Sequence, residues 1–140
     1  MNNNAFSVNE SHLFDIQELG DNRGALAVVE SMKNIPFDIK RVFYIYGTAK
    51  GIRRGFHAHH KTRQVLISVC GSCKVHLDNT KRKKEVLLDS PSVGLLLEPN
   101  DWHEMYDFSP DCVLLVMASE LYQAEDYIRD YDQFIEVYGL

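Results

Sequence analysis

The stretch "RGFHAHH", residues 54 to 60, gathers three of the chain's six histidines within four positions. If the stretch is a strand, side chains alternate between its two faces. His57 and His59 then point one way and His60 the other, so the chemically interesting pair is His57 with His59. Two imidazoles on one face suit either of two chemistries. They can begin a metal site, or they can move protons, since the unperturbed pKa of histidine lies near neutral pH. Four arginines, Arg23, Arg41, Arg53 and Arg54, fall in or at the ends of strand-like runs around these histidines. Forked, charge-assisted bonds make arginine a natural clamp for a diphosphate. Tyr44 and Tyr46 share one face of their strand and are candidates to line a pocket or to fill a barrel. His12 and His76 stand alone and read as structural or solvent-facing.

These residues need a scaffold, and short strands dominate the chain. "LAVVES" (26 to 31), "RVFYIYG" (41 to 47), "RQVLISV" (63 to 69), "CKVHLD" (73 to 78), "EVLLD" (85 to 89), "VGLLLEP" (93 to 99) and "CVLLVMA" (112 to 118) are separated by Gly, Pro, Asn and Asp. Such spacing predicts a β-sandwich or barrel. Gly71 and Ser72 read as a two-residue hairpin turn, which makes the C-x-x-C of Cys70 and Cys73 a pair of turn-flanking residues. The basic run in "NTKRKKE" (79 to 85) reads as a solvated hairpin tip. In "QAEDYIRDYDQFIEVYG", apolar residues at 127, 128, 131, 134, 135 and 138 predict an amphipathic helix ending at Gly139.

Composition bounds the function. A 140-residue chain is the size of one domain, here read as residues 1–140 with a polar tail at 1–11. The formal net charge of -5 argues against a nucleic-acid or membrane-surface binder. No apolar run approaches the roughly 18 residues of a membrane span. The N-terminus has no basic start followed by an apolar core, and three cysteines do not pair off evenly, so a cytoplasmic protein is expected.

The wider spacing resembles the first cupin motif, G-x5-H-x-H-x4-E-x6-G. Gly51, His57, His59 and Gly71 fill it, but Gln64 stands where the glutamate belongs. "GLLLEPNDWHEMYD" resembles the second motif through Gly94, Pro99 and His103, with looser spacing and Asp107 at its end. A metal cupin holds its ion with three histidines and a carboxylate. A neutral amide at Gln64 is a poorer donor and leaves the ion's charge uncompensated. Three imidazoles alone could still take zinc.

The combination of R-G-F-H-A-H with W-H-E-M, and the segments "NIPFDIKRVFYIY", "LLDSPSVGLLLEP" and "DYIRDYDQF", resembles the dTDP-4-oxo-6-deoxyglucose 3,4-ketoisomerases. The resemblance spans nearly all of residues 13 to 138. It implies an all-β cupin jelly-roll β-barrel with a short C-terminal α-helix, an intimate homodimer, and catalysis with neither metal nor other cofactor. It further implies dTDP-4-oxo-6-deoxyglucose as substrate, His57 and His59 as catalytic histidines, and Arg41 and Arg54 on the diphosphate. Tyr44 and Gln64 are the remaining expected substrate contacts. Arg23 in "NRG" with His103 in "WHE" resembles the branch giving the galacto-configured 3-oxo sugar, which a PLP-dependent aminotransferase then aminates. Three other readings compete: a metal-dependent cupin enzyme, a non-catalytic sugar-nucleotide binder, and a dTDP-sugar 3,5-epimerase.

Overall fold

A computed structural model describes residues 12–140; the polar tail expected at residues 1–11 lies outside the described residues. In chain order the strands are β1 Leu13–Asp15, β2 Gln17–Asp21, β3 Gly24–Val28, β4 Arg41–Tyr46, β5 Arg54–His59 and β6 Gln64–Cys70. There follow β7 Cys73–Asp78, β8 Lys83–Leu88, β9 Val93–Leu97, β10 Trp102–Tyr106, β11 Val113–Ala118 and β12 Tyr127–Ile128, then the helix α1 Tyr131–Tyr138. Two five-stranded sheets, ordered β1-β9-β6-β11-β4 and β12-β5-β10-β7-β8, face each other as a jelly roll, and β2-β3 form a separate ribbon. No helix among the described residues is long and apolar enough to cross a membrane.

Strand patterning explains the two layers. Leu66, Leu95, Leu97, Leu114 and Val116 of the first sheet meet Val75, Leu77, Val86, Leu88 and Met105 of the second in one buried cluster. The first sheet is covered on its other face as well. Val65, Ile67, Leu96 and Met117 turn outward there and pack under Phe14, Ile16, Ile35 and Phe37. Burial on both faces is why β9 and β11 read as unbroken apolar runs rather than alternating ones.

Two local expectations change. Gly71–Ser72 is not a hairpin turn, because β6 and β7 belong to opposite sheets. The pair carries the chain from one layer to the other, and Ser72 N–H donates to Ser109 Oγ at 2.9 Å. Gly71 has φ +67°, and a side chain there would collide with Ser109 and Asp111. Cys70 and Cys73 lie on either side of this crossing as free thiols.

The C-terminal helix is also shorter than its periodicity predicts. It covers Tyr131–Tyr138, with the Asp130 side chain accepting from Gln133 N–H. The residues before it instead form β12, which pairs Tyr127 with His59 and Ile128 with Ala58. Ile128 goes into a core of Ala58, Trp102 and Phe134 while Tyr127 faces the other way. Apolar residues at intervals of three and four fit a strand followed by a helix as well as one continuous helix. Only the vacant edge of β5 selects between them. The basic run does form a tip: Asn79 Oδ1 accepts from Lys81 and Arg82 N–H, both at 2.9 Å, between β7 and β8.

Candidate active site

β5 and β10 run side by side, but their register slips. His103 lies opposite His57, Glu104 opposite Gly55 and Met105 opposite Arg54. Phe56 is therefore an extra residue, a β-bulge, and Gly55 and Phe56 have φ of +95° and +65°. Only glycine fits at 55, since a Cβ would stand 2.8 Å from the His103 carbonyl oxygen. The bulge sets Arg54 and His57 on the same inner wall although they are three apart. It also makes His57 and His103 cross-strand neighbours, their ring centroids 4.6 Å apart and nearly perpendicular.

Both rings face a cavity of about 220 Å³ at one end of the barrel. Its apolar lining includes Phe43, Ile45, Leu66, Met105 and Val116; its polar groups come from Arg54, His57, Gln64, His103, Tyr127 and Arg129. His57 Nδ1 is 3.2 Å from the Gly55 carbonyl and His103 Nδ1 is 3.0 Å from the Asp101 carbonyl. A carbonyl only accepts, so each neutral ring donates through Nδ1–H and keeps its lone pair on Nε2. Burial, the largest cause in each case, pushes the pKa of His57 down to about 2, His59 to about 3 and His103 to about 4. Repulsion from His103 and Arg129 adds to the depression at His57 and His59, and Arg41 adds to it at His59. All three imidazoles are neutral at pH 7, in the form that accepts a proton.

The third wall comes from the C-terminal segment. Buried Asp126 accepts from Lys61 N–H at 2.7 Å and from the Thr62 hydroxyl, which fastens the segment to the loop after β5. Tyr138 hydroxyl donates to the His59 carbonyl at 2.7 Å from the helix side. Held at both ends, β12 lays the Tyr127 ring against His57 and His59, at centroid distances of 5.0 and 4.6 Å. Arg41 Nη2 donates to Tyr127 Oη at 3.2 Å, and the Arg129 guanidinium lies 4.4 Å above the tyrosine ring.

The residues singled out by sequence divide into those the fold gathers and those it does not. His57, His103, Arg54 and Gln64 line the cavity, and Arg41 borders it through Tyr127. His59 is 1% exposed and packs behind His57, outside the lining; its Nε2 has no hydrogen-bond partner. The close pair facing the cavity is thus His57 with His103, a contact made across strands, rather than His57 with His59. Tyr44 does not reach the cavity. Phe43 and Ile45 point inward from β4, so Tyr44 and Tyr46 are turned to the exposed outer face. Arg53 faces away as well, bonding Glu104 at 2.7 Å and covering the Tyr106 ring. Arg23 sits at the tip of the β2-β3 ribbon, 86% exposed and bound to Asp21, away from its own barrel's cavity. Tyr127 and Arg129 were missed, because the helical reading of their segment hid them; a Tyr-x-Arg alternation was the available signal. Among the described residues, no group of three or more His, Cys, Asp or Glu side chains is arranged to hold a metal ion.

A jelly-roll barrel with histidines and arginines lining its open end defines a small cupin-like protein, and comparison with known proteins narrows the class. The family model described as FdtA, WxcM-like, C-terminal matches residues 9–139, and the chain belongs to this family. It is 51% identical over 125 residues to the TDP-4-oxo-6-deoxy-alpha-D-glucose-3,4-oxoisomerase of Aneurinibacillus thermoaerophilus, covering 89% of this chain and 90% of that one. Two solved structures of QdtA, a 3,4-ketoisomerase of Thermoanaerobacterium thermosaccharolyticum, are also similar. One is a His-to-Asn variant in complex with TDP-4-keto-6-deoxyglucose: 46% identity, TM-score 0.88, covering 90% of this chain and 91% of that chain. The other is a double variant, Tyr to Arg and Arg to His, in complex with TDP: 48% identity, TM-score 0.88, with the same coverage of 90% and 91%.

Proposed function

We propose that the chain is a sugar-nucleotide 3,4-ketoisomerase acting on dTDP-4-oxo-6-deoxyglucose, the sugar whose TDP form is named for its relatives. The observation that carries this reading is His57, held through Nδ1 at the Gly55 carbonyl and set beside His103 in a cavity bordered by arginines. A hydrogen on carbon 3, next to the carbon-4 ketone, is only moderately acidic. Its removal needs a placed base and a donor for the developing oxyanion. His57 takes that hydrogen and leaves an enediol. The His57–His103 pair returns a proton to carbon 4, and His59, stacked behind, shares the shuttle. Arg41, Arg54 and Arg129 hold the diphosphate. Its negative charge opposes the repulsion that Arg129 exerts on His57 and that Arg41 and Arg129 exert on His59, and so makes these imidazoles better bases. Gln64, a neutral amide, suits a hydroxyl better than a cation, in keeping with a metal-free reaction.

The active unit is a homodimer. The β2-β3 ribbon joins neither sheet and exposes Leu19 and Leu26; β4 is an edge strand exposing Val42, Tyr44 and Tyr46. Pairing two copies covers these surfaces and can carry Arg23 to the partner's cavity, where it helps His103 direct the proton to give the galacto product. The double variant of the relative acquires an arginine and a histidine, the residue types native here at Arg23 and His103. A ketone at carbon 3 is what a PLP-dependent aminotransferase requires next. The free thiols suit a reducing cytoplasm.

The test is incubation with dTDP-4-oxo-6-deoxyglucose after exhaustive chelation, followed by NMR of the sugar ring. The expected result is a ketone moved to carbon 3 and a galacto 4-hydroxyl. Turnover lost to the chelator and restored by one metal favours the metal-dependent cupin. Hydrogen exchange at carbons 3 and 5 with the ketone unmoved indicates a 3,5-epimerase.

A further inference from the structure

The proposed reaction moves a proton between two oxygens as well as between two carbons, and the histidines account only for the carbons. When carbon 3 loses its hydrogen, the electron pair moves onto the carbon-4 oxygen, which needs a proton. When the carbon-3 ketone forms, the hydroxyl on carbon 3 must lose one. Among the cavity's polar groups, guanidinium N–H donors cannot give up a proton at neutral pH, and the Gln64 amide cannot either.

Tyr127 has the required valence. Its Oη accepts from Arg41 Nη2 at 3.2 Å, and its own O–H has no acceptor among the described residues. With one lone pair engaged, the O–H is the group left to donate. The ring packs on His57 and His59, lines the same cavity, and is covered by Arg129 at 4.4 Å, so a phenolate formed there would lie between two guanidinium groups. Asp126 and the helix hold β12 in place, which keeps this oxygen at a set distance from the imidazoles.

We propose that Tyr127 is a catalytic residue that carries the oxygen-bound proton, the counterpart of the histidines that carry the carbon-bound one. The inference rests on the ketoisomerase reading above. In the first half, His57 Nε2 takes the carbon-3 hydrogen, the carbon-3–carbon-4 double bond forms, and Tyr127 O–H gives its proton to the carbon-4 oxygen. In the second half, the phenolate takes the proton from the carbon-3 hydroxyl. The ketone forms at carbon 3 and carbon 4 receives a proton from the imidazole pair. Both groups end as they began, and no further reactant is consumed. The two oxygens of the enediol lie side by side, so one phenol can serve both.

The bland alternative is that Tyr127 merely steadies Arg41, and the test separates the two. Tyr127→Phe keeps the ring against both histidines and removes only the oxygen. Turnover of dTDP-4-oxo-6-deoxyglucose by NMR and calorimetric TDP affinity are measured for wild type, Tyr127→Phe and Arg41→Ala. Tyr127→Phe should lower kcat about 100-fold, as expected for losing a proton-transfer group, with TDP affinity within about twofold of wild type. Arg41→Ala should weaken TDP. A Tyr127→Phe kcat within about threefold of wild type overturns the proposal. So does a loss of TDP affinity matching that of Arg41→Ala. Wild-type protein that leaves the ketone at carbon 4 overturns the ketoisomerase reading with it.

Discussion

The histidine wall and the β2-β3 ribbon both carry residues that spacing alone singled out, yet they are built in opposite ways. His57, His59 and His103 sit on β5 and β10, inside a sheet and packed against one another, with His57 and His103 also held by backbone carbonyls. Arg23 sits on a ribbon whose two strands bond only to each other, with Asp21 as its partner. A buried imidazole has its orientation set by the fold and, where a carbonyl meets Nδ1 as at His57 and His103, its tautomer too. An exposed arginine has none of these set until something covers it. A residue's type can therefore announce chemistry equally well in both places, but only the first can be assigned a role from one copy of the chain.

The largest effect expected from breaking this contrast is at the wall. His57→Asn should cost 100-fold or more in kcat, the range for removing a general base. TDP affinity should stay near wild type by calorimetry if His57 acts on the sugar, as proposed, and not on the diphosphate. Near-normal turnover would make the imidazole a structural residue.

The ribbon is tested through the product rather than the rate. Arg23→Tyr combined with His103→Arg should shift the product toward the gluco 4-hydroxyl, read from proton couplings across carbon 4. A wild-type product already gluco, or a double variant still wholly galacto, removes these two residues from the control of stereochemistry.

The smallest effect concerns stability and should come from the wall alone. The folded pKa values of His57, His59 and His103 lie below the unfolded value near 6.5. Below that value the unfolded chain binds more protons than the folded one, so stability falls as pH drops. Each histidine adds to this decline between the unfolded value and its own folded value. Buried Asp101, its carboxyl pushed up chiefly by burial, works in the opposite sense and offsets part of this at the acid end. Urea midpoints should be level from pH 8 to 7 and decline below about 6.5, and His103→Asn should flatten the decline. An equal decline in that variant would place the acid sensitivity elsewhere, while substitutions on the exposed ribbon, whose Asp21 titrates below the usual carboxylate range beside Arg23, should leave the decline between about pH 6.5 and 5 untouched.

Much of this molecule was legible in its sequence, and the reason is periodicity. Alternation along a strand is a local property, so β4, β6 to β9 and β11, and the shared face of His57 and His59 on a strand, follow from residue types, whereas β10 is not read as a strand. The glutamine in place of the cupin carboxylate is equally local, as is the turn chemistry of Asn79–Arg82. What only the tertiary structure decided is which strands lie side by side. Gly71–Ser72 looks like a hairpin but crosses between sheets, because pairing partners are chosen by the whole core and not by the turn. Tyr127 and Arg129 looked helical, yet the free edge of β5 drew Tyr127 into a strand and both residues into the cavity lining. Tyr44 looked like a pocket residue and is turned outward by its neighbours Phe43 and Ile45. The cross-strand meeting of His57 with His103, 46 positions apart in the sequence, depends on a one-residue bulge. The sequence specifies each side chain's face; which faces meet is decided by the packing of two sheets around one core.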